Sequence, residues 1–105
     1  GPGTVEQKPA VVYPPAPYFS YGGGEIIERN ANGDIIKVTY FDTSGTFVGY
    51  SEFIRNTEYF SFTRIDYWYS EGSLDYYVVN ELDTAGDVIV SYFYYPNGTL
   101  FETRR

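Results

Sequence analysis

Cysteine, methionine and histidine are all absent from this chain. Without Cys there is no disulfide framework and no thiol chemistry, and without His no imidazole base and no zinc site of the usual Cys/His kind. Without Met the chain carries no native start residue, and Gly1-Pro2-Gly3 reads as the remnant of a cleaved fusion tag. A longer precursor is therefore expected. No apolar run approaches the ~20 residues that a membrane-spanning helix requires. Basic charge is scarce: 7 Lys and Arg against 14 Asp and Glu leave a formal net charge of −7. That balance opposes nucleic-acid phosphates and anionic membrane surfaces alike. No stretch has helical apolar spacing. These absences predict no cofactor, no metal site, no nucleic-acid partner and no membrane insertion.

What is abundant is aromatic. The 105 residues include 13 Tyr, 8 Phe and 1 Trp, 21% of a chain long enough for one domain. Tyr and Phe favour half-buried pleated surfaces, so composition alone leans towards strands. The chain divides near residue 21. Residues 1–21 hold the tag remnant and a segment with Pro9, Pro14, Pro15 and Pro17, which excludes a central strand. Its early part reads as a linker. Its later part, with Val11, Val12, Tyr13, Tyr18 and Phe19, reads as a strap over the sheet. Gly22-Gly23-Gly24 is expected to be a hinge, and residues 22–105 the folded β-hairpin domain.

From Glu25 onward, strand-like runs alternate with turn signals. Asn32-Gly33 and Asn97-Gly98 predict two-residue type I′ hairpins, since Asn and Gly tolerate positive φ. Ser44-Gly45, Glu71-Gly72 and Ala85-Gly86 mark further reversals, and Arg55-Asn56-Thr57-Glu58 a glycine-free one. The runs between are 25–29, 34–42, 46–54, 59–69, 73–82, 87–95 and 99–103. Seven strands joined consecutively predict an all-β antiparallel meander, as a strongly curved sheet or small open barrel.

The chain also repeats itself. A constant spacing of 53 residues separates Gly33 from Gly86 and Gly45 from Gly98. Asp34/Asp87, Ile36/Ile89 and Thr46/Thr99 are identical pairs at the same spacing. Such a unit cannot bury its own face and must lie beside its neighbours. Tyr40-Phe41-Asp42-Thr43-Ser44-Gly45-Thr46-Phe47 resembles the aromatic–aromatic–Asp–x–x–Gly core of YD (RHS-type) repeats, with looser copies at 82–88 and 94–100. It departs from that pattern at Tyr95, in place of Asp, and at Leu82, in place of an aromatic. The hairpin repeats of antitoxin-like and MORN-variant proteins are similar. The resemblance implies a structural or binding role at a cell surface or in secretion, though this chain is too short for the large shell of YD proteins.

Alternation assigns two faces to each strand. Ile36, Val38 and Tyr40 oppose Ile35, Lys37, Thr39 and Phe41; Leu74, Tyr76, Val78 and Leu82 oppose Asp75, Tyr77, Val79 and Glu81. Val88, Val90, Tyr92 and Tyr94 oppose Ile89, Ser91, Phe93 and Tyr95. One face is apolar and the other only half polar, a pattern that calls for closure, a strap or a partner.

Several motifs have plainer readings. Glu52, Asp66 and Asp75 could supply a glycosidase pair only if two of them meet across a cleft; otherwise they are solvated strand positions. Asn30-Ala-Asn-Gly-Asp34 has oxygen ligands at alternate positions but is equally ordinary turn chemistry. Asn97-Gly98-Thr99 fits a glycosylation sequon, and Arg104-Arg105 is a lone basic pair. The aromatic clusters are the candidate binding residues: Tyr67, Trp68 and Tyr69, and Tyr92, Tyr94 and Tyr95. Tyr and Trp bury large area with few rotors and keep a polar handle, although cross-strand pairing alone also explains them. The expectation is a non-enzymatic binding or assembly module of a secreted or cell-surface protein, contacting protein, a second copy or glycan. The alternatives are an acidic, antitoxin-like inhibitor of a basic toxin and a carboxylate-based glycan enzyme.

Overall fold

The computed structural model describes residues 19–56 and 61–105. They form one antiparallel sheet in strand order β1-β2-β3-β4-β5-β6-β7: β1 (Gly22–Arg29), β2 (Ile35–Asp42), β3 (Phe47–Asn56), β4 (Ser61–Ser70), β5 (Ser73–Leu82), β6 (Val88–Tyr94) and β7 (Leu100–Arg104). The meander is as expected. It is open: β1 and β7 are its edges and do not pair with each other. The three glycines expected to be a hinge belong to β1, where a register shift lies between Gly22 and Glu25. Residues 1–18 and 57–60 lie outside the described residues, so the linker, the tag remnant, the contacts of Val11, Val12, Tyr13 and Tyr18 and the turn expected at Arg55-Asn56-Thr57-Glu58 are not described.

The turns correct one expectation. Asn32-Gly33 and Asn97-Gly98 are not two-residue type I′ loops, which need positive φ at both central positions. Instead four turns share a longer form, in which the Gly N–H donates to the carbonyl three residues back while the strands close one residue further on. Gly33 N–H reaches Asn30 O at 3.0 Å, and Asn30 N–H reaches Asp34 O at 2.9 Å. The same pair of bonds recurs at Asp42/Gly45/Thr46, Asp83/Gly86/Asp87 and Tyr95/Gly98/Thr99. Each Gly has φ between 82° and 90°, the left-handed residue of a type I turn with a G1 bulge. In three of the four, the first residue's side chain does further work. Asn30, Asp42 and Asp83 each accept two backbone N–H bonds with Oδ1. That bonding fixes the turn and commits the Oδ1 of Asn30 that a calcium loop would have used. At the sequon, Asn97 Oδ1 likewise accepts the Thr99 N–H. The real two-residue turn is Glu71-Gly72, with φ of 51° and 81°.

The duplication is structural. Displacing β1–β2–β3 by 53 residues lays it on β5–β6–β7, and their irregularities coincide. Arg29 pairs with Ile35 past a bulge at Ile36, as Leu82 pairs with Val88 past Ile89. Phe41 pairs with Phe47 past Val48, as Tyr94 pairs with Leu100 past Phe101. β4 links the copies, in continuous register with β3.

These bulges shift side-chain parity, so Ile35 rather than Ile36 is buried with Val38 and Tyr40. Ile35, Val38, Tyr40, Phe53, Phe62 and Leu82 form the core cluster, with Phe19, Val48 and Trp68 packed on it. We call this side the core face. Val38, Ser51, Asp66, Val78 and Phe93 run across it in one cross-strand row. The opposite row is Thr39, Tyr50, Tyr67, Tyr77 and Tyr94, and defines the tyrosine face.

Candidate interaction surface

Two aromatic arrays sit on opposite sides of the sheet. On the core face, Phe19 lies edge-on to Tyr40 at 5.6 Å and to Trp68 at 5.1 Å, and Tyr21 adds contacts to the same two rings. Phe19 thus packs on the sheet; the other residues of the expected strap lie outside the described residues. Trp68 lies opposite Gly49, where a side chain would come within 2.2 Å of the Tyr67 carbonyl oxygen and 2.7 Å of the indole. The glycine is required by that close approach. Trp68 is half-buried and packs against the core cluster, on the side of the sheet opposite Tyr67 and Tyr69.

Beneath these rings runs a buried polar network. Tyr40 Oη and Ser51 Oγ are 2.8 Å apart, and Ser51 donates to Asp66 Oδ1 at 2.6 Å, which leaves Tyr40 as the donor to Ser51. Arg64 donates to both carboxylate oxygens, at 2.9 and 3.2 Å, and Asn80 to Oδ2 at 2.8 Å. Ser91 completes the chain by donating to Asn80 Oδ1 at 2.7 Å. A buried carboxylate is tolerable only when its lone pairs are met in this way. Burial and the Asp66 charge raise the Tyr40 phenol to about 12, against the opposing Ser51 hydrogen bond. The network centred on Asp66 therefore links five strands, β2 to β6, through side chains. Glu52 projects from the opposite face, and Asp75 is exposed at the irregularity between Leu74 and Tyr76. The three candidate carboxylates do not converge.

The tyrosine face is organised differently. Tyr50, Tyr67, Tyr77 and Tyr94 stack across β3–β6 with centroid spacings of 4.6, 5.7 and 5.0 Å and interplanar angles of 19°, 26° and 13°. Tyr69 extends the array through Phe47 at 4.9 Å and Tyr50 at 6.2 Å. Stacked rings turn their faces to each other and leave their edges and hydroxyls outward. Tyr92 stands in the adjacent row with Val79 and Ile65. Burial, then the neighbouring tyrosines and Glu52, push the Tyr50 phenol up to about 12, and burial and Glu52 raise Tyr67 also. Lys37, paired opposite Glu52, places its ammonium 4.6 Å from the Tyr50 ring. Of the predicted binding residues, Tyr67, Tyr69, Tyr92 and Tyr94 thus share the tyrosine face. Tyr95 is half exposed and packs on Phe101 at 4.4 Å. Sequence reasoning missed Tyr50 and Tyr77, which lie outside the consecutive clusters. The signal that finds them is parity once the strands are aligned, not local aromatic density.

Both sheet edges are unsuited to strand addition. β7 has five residues and a Glu102–Arg104 ion pair, and β1 has a glycine-rich, register-shifted start followed by Glu25 and Glu28. Short, charged and irregular edges of this kind deter pairing with another sheet. The surfaces that remain are the faces. Two shallow hollows of about 300 Å³ lie beside residues 19–25 and between Asn56, Thr63 and Ile89, without a pair of facing carboxylates. No protein-family model, curated protein or solved structure matches this chain.

Proposed function

We propose that the domain is a non-enzymatic binding module of a secreted or cell-surface protein, with the tyrosine face as its contact surface. The observation that carries this reading is the stack of four half-buried tyrosines spanning four strands, with no second layer over it among the described residues. An uncovered aromatic array of this extent is a typical interaction surface. The stacking favours a protein over a glycan. Sugar rings pack on open aromatic faces, whereas these faces are already occupied by one another. The resemblance to YD-type repeats supports the same role.

A second reading, an acidic antitoxin-like inhibitor of a basic toxin, draws on the same face and on the net charge of −7. It differs in biological role rather than in contact surface. The test immobilises the whole chain and compares retention of secreted proteins from the source with two variants. Tyr67→Ser with Tyr77→Ser should abolish specific retention, and Phe101→Ser, on the other side, should not. Equal retention by all three would remove the tyrosine face from consideration.

A further inference from the structure

Charge is divided between the two sides of the sheet. On the core face, Arg55, Arg64 and Arg104 are matched to Asp34, Asp66 and Glu102. On the tyrosine face the register sets Glu28 and Glu52 on either side of Lys37, the one cation it pairs there among the described residues, and places Glu81 opposite Thr63 and Val90. Among the described residues one local arrangement recurs three times: a cation over an aromatic ring, beside a carboxylate. Arg64 lies 5.1 Å from the Phe19 ring and on Asp66; Arg104 lies 4.6 Å from the Phe93 ring and on Glu102. Lys37 over Tyr50, opposite Glu52, is the third. The rest of the tyrosine face has further rings and one further carboxylate, Glu81, with no cation over a ring among the described residues. Tyr67, Tyr77 and Tyr94 continue the stack, and Glu81 stands on β5 in the same alternation as Tyr77, with no ion pair among the described residues.

We infer that the tyrosine face receives a basic protein surface, whose arginine and lysine side chains seat against the tyrosine stack and between the Glu52 and Glu81 carboxylates. This rests on the reading that the tyrosine face is the contact surface, and adds the chemistry of the occupant. Arginine suits the site better than lysine, because its guanidinium fork pairs with a carboxylate through two donors while the remaining N–H groups reach the outward tyrosine hydroxyls. A second copy suits it poorly, since pairing this face with itself sets carboxylates against carboxylates and doubles a net charge of −7.

The test uses the whole, isotopically labelled chain and three probes: octa-arginine, octa-lysine and octa-glutamate. Octa-arginine should bind saturably, with amide and tyrosine-ring shifts centred on Tyr50, Tyr67, Tyr77 and Tyr94 and little change at Trp68. Octa-lysine should bind more weakly and octa-glutamate not at all, and 0.5 M salt should weaken the arginine complex strongly. Glu52→Gln with Glu81→Gln should lower affinity roughly ten-fold, at two- to five-fold per exposed carboxylate pair. Glu71→Gln with Asp87→Asn, at hairpin turns, should leave it within two-fold. Near-UV circular dichroism checks that all variants keep their packing. Failure of octa-arginine to saturate, equal weakening by both double variants, or shifts centred on Trp68 would each overturn the inference. If octa-arginine fails while Tyr67→Ser with Tyr77→Ser dissociates a dimer seen by light scattering, the tyrosine face stands as a contact surface and its occupant is a second copy. If neither happens, both readings fall.

Discussion

The two copies of the repeat share turns, bulges and register, yet they draw their core-face aromatics from different places. In the first copy, Tyr40 is 1% exposed because Phe19 and Tyr21 come from the preceding segment and Trp68 from β4. In the second, Phe93 occupies the place of Tyr40, and the aromatics around it are the copy's own. Tyr76, Tyr95 and Phe101 stand where the first copy has Gly23, Asp42 and Val48. The difference follows from position. In the first copy β3 is flanked by β4, so a small residue is needed at Gly49, where a side chain would meet the Tyr67 carbonyl and the Trp68 indole. At Gly23, a side chain would come within 1.7 Å of the Asp42 carbonyl oxygen of the copy's own β2. In the second copy the counterpart of β3 is the edge strand β7, which has room for large rings at the cost of leaving Phe101 42% exposed. One folding unit thus supports two packing solutions, chosen by what lies beside it.

Substitutions at equivalent positions test how far this contrast goes. The largest gap is expected between Tyr40→Ala and Phe93→Ala. The first should cost about 4 kcal/mol, through a cavity under Phe19 and Trp68 and loss of the hydrogen bond to Ser51; the second should cost about half as much. Urea denaturation measures both, and equal losses would break the contrast. Next come Gly49→Ala and Glu102→Ala, the same register position in the two copies. The alanine at 49 must displace the Tyr67 carbonyl or the Trp68 indole, at about 2–3 kcal/mol, whereas truncating the edge glutamate should change stability by less than about 0.5 kcal/mol. Gly45→Ala and Gly98→Ala should instead match, each costing about 1 kcal/mol. Both glycines have positive φ, +82° and +90°, and neither has an atom close enough to clash with a new methyl group. Unequal costs there would mean that the turns are less alike than their hydrogen bonds.

The smallest effect is a pH dependence carried by Tyr40 and Tyr50 of the first copy. Tyr40 and Tyr50 ionise near 12 in the fold, against an ordinary value of 10.0. A raised phenol pKa means that the folded state holds its protons longer. Its contribution is therefore complete below about pH 10 and is lost as pH rises towards 12. Ultraviolet tyrosinate titration alongside thermal melts should show this decline. Tyr40→Phe should reduce it, while Phe93 gives the second copy no titrating group at the equivalent place.

Much of this was legible in the residues because it is local. Strands 73–82 and the turn at Glu71-Gly72 follow from alternation and from the conformational freedom of glycine, which neighbours barely alter. The 53-residue duplication needed only the glycine and aspartate spacing. The turn form at Asn32-Gly33 was misread because the Asn-Gly pair outweighed Asn30, whose side chain caps the longer loop. The bulges at Ile36 and Ile89 then exchange the faces of Ile35 and Ile36, a one-residue shift that a period-two pattern does not register.

By itself, then, the sequence determined an all-β meander, its glycine turns, its internal repeat and its acidic, aromatic character. Those properties depend on residues adjacent in the chain. The tertiary structure alone decided that Tyr50, Tyr67, Tyr77 and Tyr94 form one stack, that Trp68 packs against the core cluster on the opposite side, and that Asp66 is enclosed by Ser51, Arg64 and Asn80. Each of these unites side chains from three or more strands. Strand register, which the bulges set, fixes which side chains become neighbours.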